Sequence, residues 1–269
     1  MPSESVSSDA VIPFAPRRFQ SAASVYLAGR PAYSARLFRR LAAWCGLEQQ
    51  HGVLDLGCGP GQIAIALAPY AGRVVGLDPE PDMLAIARDS AEAAGLDIDW
   101  IEGSSYDLSP TLGRFHLVTM GRSFHWMDRV DTLKRLDGMT EPGGAVVLMG
   151  DTHPAVPDNG WYQPYQAIIE RFATNQAEKK IRADWVSHEG VLLASPFASL
   201  DQIAVFERRQ IDIETLVLRA HSMSSTAPAR LGARADELAA AIRVEMAPFA
   251  ANGLLTEIVS STALIATRP

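Results

Sequence analysis

The sequence has little of what marks a secreted, membrane-spanning or nucleic-acid-binding protein. Two cysteines in 269 residues are too few for a disulfide framework or a thiolate metal site. The first ten residues lack the basic and apolar parts of a secretory signal, and no run of about 18 apolar residues predicts a transmembrane helix. The formal charge of −7 argues against a broad basic surface for nucleic acid. We therefore expect a cytoplasmic protein without nucleic-acid or membrane partners, either a monomer or a homodimer.

The middle of the chain alternates short apolar runs with segments of helical periodicity. The runs at 53–56, 73–77, 98–101, 115–120 and 145–149 predict strands, and the segments 62–68, 81–93 and 127–136 predict the helices between them. Strands spaced by helices are typical of βαβ units. The sequence therefore predicts an α/β fold with a parallel sheet.

A glycine-rich segment after the first predicted strand is the most informative motif. Residues 53–61 read Val-Leu-Asp-Leu-Gly-Cys-Gly-Pro-Gly. Gly57 and Gly59 allow a sharp turn and a close approach of the backbone to a ligand. Asp55 places a negative charge at the end of the strand, which suits a nucleotide-like ligand with a cationic amino-acid end.

The second predicted strand ends in another acid, Asp78. An acid about 20 residues beyond a glycine loop is placed to accept hydrogen bonds from ribose hydroxyls, and Pro79 and Met83 could pack on an adenine face. A dinucleotide fingerprint requires a third glycine, where this chain has Gln62. The pattern therefore favours a different nucleotide-like ligand over NAD or FAD.

These motifs resemble those of the class I S-adenosylmethionine-dependent methyltransferases, in the small-molecule branch that includes the ubiquinone-biosynthesis and trans-aconitate enzymes. Residues 55–61 resemble the first family motif, 77–78 the second, and 141–144 the turn before the fifth strand. Two positions depart from the family pattern: Ser104 replaces an acid, and His116 replaces the Asp that usually follows Phe at the start of strand four.

The resemblance implies a Rossmann-like, seven-stranded, mostly parallel sheet with the last strand antiparallel and helices on both faces. It also implies an organisation in which residues 1–15 are disordered and 16–269 form one domain. In that domain 16–50 would be an N-terminal lid, 51–150 the cofactor-binding core, 151–200 an acceptor-covering segment after strand five, and 201–269 the completion of the sheet.

The expected cofactor is S-adenosylmethionine, which leaves as S-adenosylhomocysteine. Its carboxylate would suit the fork of Arg30, and the full set of expected cofactor-binding residues is Tyr26, Arg30, Asp55, Gly57, Cys58, Gly59, Gln62, Asp78, Pro79, Met83, Ser104, Ser105, Tyr106 and Gly121. We expect no metal, because no group of His, Cys and Asp residues has metal-ligand spacing.

The segment 120–128 leaves the fourth predicted strand at the edge where ligands bind in these folds. His125 in this segment is the candidate catalytic residue, since an imidazole can accept a proton from a hydroxyl or orient an acceptor oxygen. The alternative is that His125 and its neighbour only pack the turn. The expected substrate-contacting residues are Tyr33, Arg122, Trp126, Trp161 and His188.

The sequence leaves more than one function open. The favoured hypothesis is methyl transfer to an oxygen, hydroxyl or carboxylate, of an apolar small molecule or secondary metabolite. The alternatives are a C- or N-methyltransferase of a small molecule, a methyltransferase of tRNA or protein, and a homologue that binds the cofactor without catalysis.

Overall fold

The computed structural model of the chain describes residues 11–12, 23–183 and 185–269. The expected disorder of residues 1–15 lies, apart from residues 11–12, outside the described residues. The strands are β1 Gly52–Leu56, β2 Arg73–Asp78, β3 Asp99–Glu102, β4 Phe115–Gly121, β5 Thr140–Thr152, β6 Ser199–Asp212 and β7 Leu254–Thr267. The helices are α1 Ala23–Gly29, α2 Ala35–Trp44, α3 Gln62–Leu67, α4 Pro81–Ala93, α5 Arg129–Met139, α6 Tyr162–Phe172, α7 Gln176–Ala183, α8 His188–Leu193, α9 Ile213–His221, α10 Pro228–Leu231 and α11 Arg234–Met246.

The strands form one seven-stranded sheet in the order β3-β2-β1-β4-β5-β7-β6. Neighbouring strands from β3 to β5 are parallel, whereas β7 runs antiparallel to both β5 and β6. The order reverses between β1 and β4, and in open α/β sheets this is where ligands bind. The predicted Rossmann-like sheet with an antiparallel last strand is confirmed.

Apolar side chains cover both faces of the sheet, in two clusters of buried residues. One cluster packs α5 and α8 on β4 and β5 through residues such as Leu133, Leu192 and Phe197, and the other packs α2 and α3 on the opposite face through residues such as Leu37 and Ile63. Burying apolar area on both sides stabilises the layers and explains why the central strands read as continuous apolar runs.

A third buried cluster lies beyond β5 and joins helices α6, α9 and α11 to the start of β7. Trp161, Tyr165, Leu238 and Leu255 belong to it. Helix α9 and helix α11 come from the connection between β6 and β7, so residues 201–269 do more than complete the sheet. Among the helices of the described residues, none is long and apolar enough to cross a membrane.

Three boundaries differ from the prediction. Strand β5 begins at Thr140 rather than after the Pro-Gly-Gly sequence, because those residues form an irregular start of the strand, where the register against β4 shifts between Phe115 and Leu117. The sequence also predicts a strand near residues 201–208, and in the structure this strand, β6, is longer and extends from Ser199 to Asp212. The helix predicted at 127–136 starts at Arg129, because the Asp128 carboxylate accepts from the N–H of Asp131 and caps it.

Candidate active site

A cavity of about 620 Å³ opens at the carboxyl ends of the five parallel strands. Every connection that follows those strands contributes to its wall. Most of the predicted site residues line it: Tyr26, Arg30, Gly57, Gly59, Asp78, Pro79, Met83, Ser104, Ser105, Tyr106, Gly121, Arg122, His125, Trp126 and His188. The structure therefore brings most of the predicted residues together in one cavity wall.

The glycine loop needs its glycines for two different reasons. Gly57 has φ +68° and Gly59 has φ +52°, both in the left-handed region that favours glycine. A Cβ added to Gly57 would lie 2.6 Å from Cβ of Ser123, whereas one added to Gly59 would meet nothing within 4 Å. Gly57 is therefore required by close packing inside the protein, and Gly59 leaves open space beside the cavity.

Asp55 corrects one sequence expectation. Its side chain is fully buried and does not line the cavity; it accepts from Ala64 N at 3.1 Å and from the Thr119 hydroxyl at 2.9 Å. Burial raises the pKa of Asp55 to about 7, against the lowering effect of those two hydrogen bonds. Through these hydrogen bonds the carboxylate holds helix α3 and strand β4 to β1. It lies inside the sheet, so it is out of reach of a ligand in the cavity.

Four other expected site residues lie outside the cavity wall: Cys58, Gln62, Tyr33 and Trp161. The Cys58 thiol is buried and contacts its neighbour's carbonyl, Gly59 O, at 3.6 Å, while Gln62 begins α3. Tyr33 donates to Met149 O at 3.3 Å and stays behind the wall. Trp161 donates from its indole N–H to Thr256 O at 2.8 Å and is buried in the third cluster, so its substrate role is corrected to a packing role.

Asp78 lies where the prediction placed it, at the end of β2 on the cavity wall. Its Oδ2 accepts from Gly59 N at 2.8 Å and its Oδ1 from Glu80 N at 2.9 Å. Burial raises the pKa of Asp78 to about 6, opposed by these backbone hydrogen bonds. The carboxylate thereby fixes the glycine loop, and each oxygen retains a further lone pair for a ligand hydroxyl.

The connection after β3 carries the Ser104 departure from the family pattern. Both the N–H and the hydroxyl of Ser104 donate to Asp107 Oδ2 at 2.8 Å. These hydrogen bonds lower the pKa of Asp107. The acid missing at position 104 is not replaced at the cavity by Asp107, because that carboxylate closes its own turn and lies outside the cavity wall.

At the end of β4 the chain turns abruptly into the cavity wall. Arg122 has φ +55°, an uncommon conformation for a residue with a side chain. Its guanidinium donates to Asp151 Oδ1 at 2.5 Å and Pro31 O at 2.8 Å, and it lies 4.4 Å from the centre of the Tyr33 ring. Arg122 therefore ties the N-terminal segment to the end of β5, in addition to lining the cavity.

The 3₁₀ turn Phe124–Trp126 presents the two residues expected at the reaction site. The rings of His125 and Trp126 lie 4.7 Å apart, and both line the cavity. His188 approaches the same turn from α8, with its ring 5.2 Å from that of Phe124. The structure thus brings the predicted catalytic histidine and a predicted substrate residue to one side of the cavity.

His188 is held by the buried Arg129. The Arg129 guanidinium lies 3.0 Å from His188 Nδ1 and donates to Val186 O at 2.9 Å. Because a guanidinium can only donate, Nδ1 must accept, and the ring proton of neutral His188 sits on Nε2. His188 is therefore a hydrogen-bond donor at Nε2 rather than a base.

The far end of the cavity is formed by residues that the sequence did not single out. They lie directly after β5, on α6, directly before α7, and on α9 with the loop that follows it: His153, Tyr162, Gln166, Asn175, Arg219, Met223, Ser224 and Ser225. One signal was available, since Glu257 is the one charged residue in strand β7. Such a residue needs a buried partner, and Arg219 and His153 both contact it at 2.7 Å.

A separate cluster of possible metal ligands lies at the opposite edge of the sheet. His51, His116 and Glu141 offer donor atoms within 4.8 Å of one another. The two imidazole rings stack at 3.9 Å with an angle of 12°. The lone pairs of stacked rings run side by side instead of converging on one ion, and His51 Nδ1 already accepts from Glu48 N at 3.1 Å. The expectation of no metal stays a prediction, and we assign this cluster no part in the cavity's chemistry.

The chain is similar to known methyltransferases over about half of its length. Residues 53–144 match a methyltransferase domain family. The chain is 31% identical over 144 residues to a 2-phytyl-1,4-naphtoquinone methyltransferase of Synechococcus elongatus, covering 51% of this chain and 58% of that protein. It is 34% identical over 138 residues to a demethylmenaquinone methyltransferase of Thermus thermophilus, covering 50% and 62%. The chain thus spans about six-tenths of the length of these curated relatives.

Two solved structures share the fold along nearly the whole chain. The S-adenosylmethionine-dependent methyltransferase of Thiobacillus denitrificans, in complex with S-adenosyl-L-homocysteine, has a TM-score of 0.55 at 19% identity and covers 97% of this chain and 100% of its own. The corresponding protein of Geobacter sulfurreducens has a TM-score of 0.54 at 18% identity and covers 96% and 99%. Residues 53–144 thus match a methyltransferase domain, and the chain shares its fold with S-adenosylmethionine-dependent methyltransferases.

Proposed function

We propose that the chain transfers a methyl group from S-adenosylmethionine to an oxygen of a small, apolar, ring-containing acceptor. The observation that carries this proposal is the single cavity in which the glycine loop and Asp78 face a histidine-bearing turn after β4. One side of the cavity suits a nucleoside, and the other side suits an acceptor. When bound, the cofactor supplies a methyl group on a positively charged sulfur.

The wall fits the cofactor at three places. Arg30 lines the cavity, and its Nε is buried without a hydrogen-bond partner among the described residues, so a carboxylate there would satisfy it. Asp78 keeps lone pairs for ribose hydroxyls. Gly59 leaves open space, so the backbone can approach a ligand. These features support a contact of Arg30 with the cofactor's carboxylate, of Asp78 with its ribose, and of the backbone at Gly59 with the ligand.

The acceptor side supports an aromatic or quinone-type molecule. Trp126 and Tyr162 contribute ring faces to the wall, and flat acceptors stack on such faces. The curated relatives are named for a naphthoquinone and a demethylmenaquinone, and a shorter match is a ubiquinone biosynthesis O-methyltransferase of Azorhizobium caulinodans. The reduced, hydroquinone form of such a molecule is accordingly the acceptor that we propose, because only this form has a hydroxyl oxygen to methylate.

The remaining roles follow the predicted residues. His125 contacts the acceptor oxygen, Trp126 borders the acceptor ring, and His188 donates to an acceptor oxygen through Nε2. We propose a cytoplasmic protein that acts as a monomer or homodimer and binds no nucleic acid. C- or N-methylation, a tRNA or protein acceptor, and cofactor binding without catalysis are the competing outcomes of the test.

The test is a transfer assay with deuterated-methyl S-adenosylmethionine and a panel of naphthohydroquinones, catechols, aromatic amines, aromatic carboxylates and bulk tRNA. Mass spectrometry reads the mass gained by each product and its site of attachment. We expect an O-methylated hydroquinone or phenol. Label on a ring carbon or a nitrogen would correct the acceptor atom, label on tRNA would correct the acceptor class, and cofactor binding without any transfer would leave only the non-catalytic alternative.

A further inference from the structure

A buried ionic network forms the far wall of the cavity. Glu257 on β7 accepts from Arg219 Nη1 and from His153 Nε2, each at 2.7 Å, and Arg219 Nε donates to Gly29 O at 3.1 Å. The side chains of Glu257, His153 and Arg219 are only 1%, 4% and 5% exposed. Burial alone would raise the pKa of Glu257, but the hydrogen bonds and charges of His153 and Arg219 outweigh it and lower the pKa to about 2.

The network fixes the proton on one nitrogen of His153. Glu257 is ionised near neutral pH and can only accept, so the ring of neutral His153 carries its proton on Nε2 and a lone pair on Nδ1. Nδ1 has no hydrogen-bond partner among the described residues and is not one of the buried unpartnered atoms. The ring stacks on Tyr162 at 4.2 Å, and both side chains line the cavity.

The charges around His153 favour a proton acceptor. Glu257 and Arg219 neutralise each other, Asp151 is paired with Arg122, and Tyr162 is uncharged near neutral pH because burial raises its pKa. An imidazolium formed at His153 would keep its hydrogen bond to the Glu257 carboxylate, which stabilises the added charge. This is the arrangement in which a carboxylate orients an imidazole and supports it as a base.

His188, the histidine that the sequence predicts to contact the substrate, cannot serve in the same way. His188 accepts from Arg129 at Nδ1, so its Nε2 carries a proton. Of these two cavity histidines, His153 has the lone pair that is open to a ligand. His153 follows β5, which lies two strands away from β1 and its glycine loop, and its ring stacks on Tyr162, so we place the acceptor beside it.

We propose that His153, oriented by Glu257, is the general base that deprotonates a hydroxyl of the acceptor. The inference rests on the proposed function and selects hydroxyl-bearing acceptors within it. The acceptor proton moves to His153 Nδ1, and the oxygen electron pair forms the new C–O bond as the electron pair of the breaking C–S bond returns to sulfur. His153 leaves the step as an imidazolium beside Glu257 and later releases its proton to water. His125 then orients the acceptor, and Glu257 and Arg219 are positioning residues.

The first test measures the proton on His153 directly. The full chain, labelled with ¹⁵N in its six histidines, is saturated with S-adenosylhomocysteine and titrated by NMR, with His153→Gln used to assign the signals. We expect a protonated Nε2 and an unprotonated Nδ1 at pH 8. A proton on Nδ1 at pH 8 overturns the proposal.

The second test separates a base from a structural residue. Gln can donate from its amide to Glu257 but has no basic nitrogen, so His153→Gln should keep the fold and the affinity for S-adenosylhomocysteine. Its turnover of a phenolic acceptor from the transfer panel should fall by about 10²–10⁴-fold, the usual contribution of a general base. The rise of rate with pH that a general base gives the wild type should also be absent from this variant. His51→Gln, at the opposite edge of the sheet, is the matched control and should change neither.

The outcomes distinguish the two proposals. A wild-type rate and pH profile in a folded His153→Gln protein would overturn the base while leaving methyl transfer in place. Failure of the wild-type chain to bind S-adenosylhomocysteine would overturn the proposed function and the base with it. Transfer to a carboxylate or a carbon, without a hydroxyl acceptor, would also overturn the base, because those acceptors have no hydroxyl proton to remove.

Discussion

Asp55 in β1 and Asp78 at the end of β2 lie in different environments. Asp55 is enclosed by the sheet and by α3, where it holds protein groups only. Asp78 reaches the cavity wall and holds the glycine loop through Gly59. Both are buried acids with raised pKa values, but Asp78 is the one positioned to meet a ligand.

Replacing Asp78 by Asn should weaken binding of S-adenosylhomocysteine by about 1–3 kcal/mol, the scale of losing a charged hydrogen-bond partner. Asn is a better choice than Ala, because its amide oxygen can still accept from Gly59 N and keep the loop in place. Titration calorimetry measures the change, and Asp107→Asn, an exposed acid outside the cavity, is the control. Unchanged affinity in folded Asp78→Asn would remove Asp78 from the ribose contact.

His125→Ala tests whether His125 orients the acceptor. If His153 is the base, removing His125 should lower turnover less than His153→Gln does and leave the rise of rate with pH in place, since only an orienting contact is lost. Rate–pH profiles of the two variants on one phenolic acceptor make the comparison. Loss of the pH dependence in His125→Ala, with the dependence retained in His153→Gln, would exchange the two roles.

At the scale of elements, the glycine loop contains two positions that separate folding from binding. Gly57 packs against Ser123, whereas Gly59 faces open space. Both have positive φ values, so any side chain costs about 1–2 kcal/mol of backbone strain. Only Gly57 adds a steric clash within the protein.

We therefore expect Gly57→Val to lose both thermal stability and cofactor binding, and Gly59→Ala to lose binding while keeping most of its stability. Thermal unfolding and calorimetry on the two variants measure these effects. A Gly59→Ala protein that binds S-adenosylhomocysteine with wild-type affinity would show that the ligand does not approach the backbone there.

How far the sequence predicted the elements depends on how local their signals are. The loop after β1 and the acid that ends β2 were readable, because glycine and strand-end residues have positional meaning by themselves. The prediction for strand β6 is too short, since its apolar run ends at Phe206 and the polar residues that follow, such as Glu207, Arg208 and Arg209, give no strand signal. The Pro-Gly-Gly sequence at 142–144 was taken for a turn, although it lies in a strand whose register shifts.

The candidate site was predictable where it is built from strand ends and was missed where it depends on long-range packing. His153 and Glu257 are 104 residues apart in the sequence, and Arg219 joins them from a helix between β6 and β7. No spacing rule connects such residues. The same reason applies to Trp161. Its aromatic ring predicts a ligand contact, but packing against residues distant in the sequence buries it in the third cluster.

At the scale of the whole molecule, its buried acids make stability depend on pH. Asp55 and Asp78 have pKa values of about 7 and about 6 in the folded protein, against an ordinary value of 3.8. Between those values the folded chain holds more protons than the unfolded chain, so stability falls as the pH rises through them. Glu257 acts in the opposite direction: its pKa is lowered from 4.5 to about 2, so its stabilisation is lost as the pH falls through that range.

We therefore expect the free energy of unfolding, without ligand, to decrease as the pH rises from roughly 5 to 8. Asp55→Asn, which can still accept from Ala64 N, should flatten this dependence, and Asp107→Asn should leave it unchanged. Urea unfolding at several pH values measures both. Stability that rises with pH across this range in the wild type would contradict the burial of ionisable Asp55.

Titration calorimetry of the full chain with S-adenosylhomocysteine and with NAD, under identical conditions, measures whether the cavity binds the proposed cofactor or a dinucleotide. The cavity offers Asp78 and the orphaned Nε of Arg30, and the glycine loop has Gln62 in place of the third glycine of a dinucleotide fingerprint. We expect one saturable site for S-adenosylhomocysteine and no measurable site for NAD. Tight NAD binding together with no binding of S-adenosylhomocysteine would contradict it.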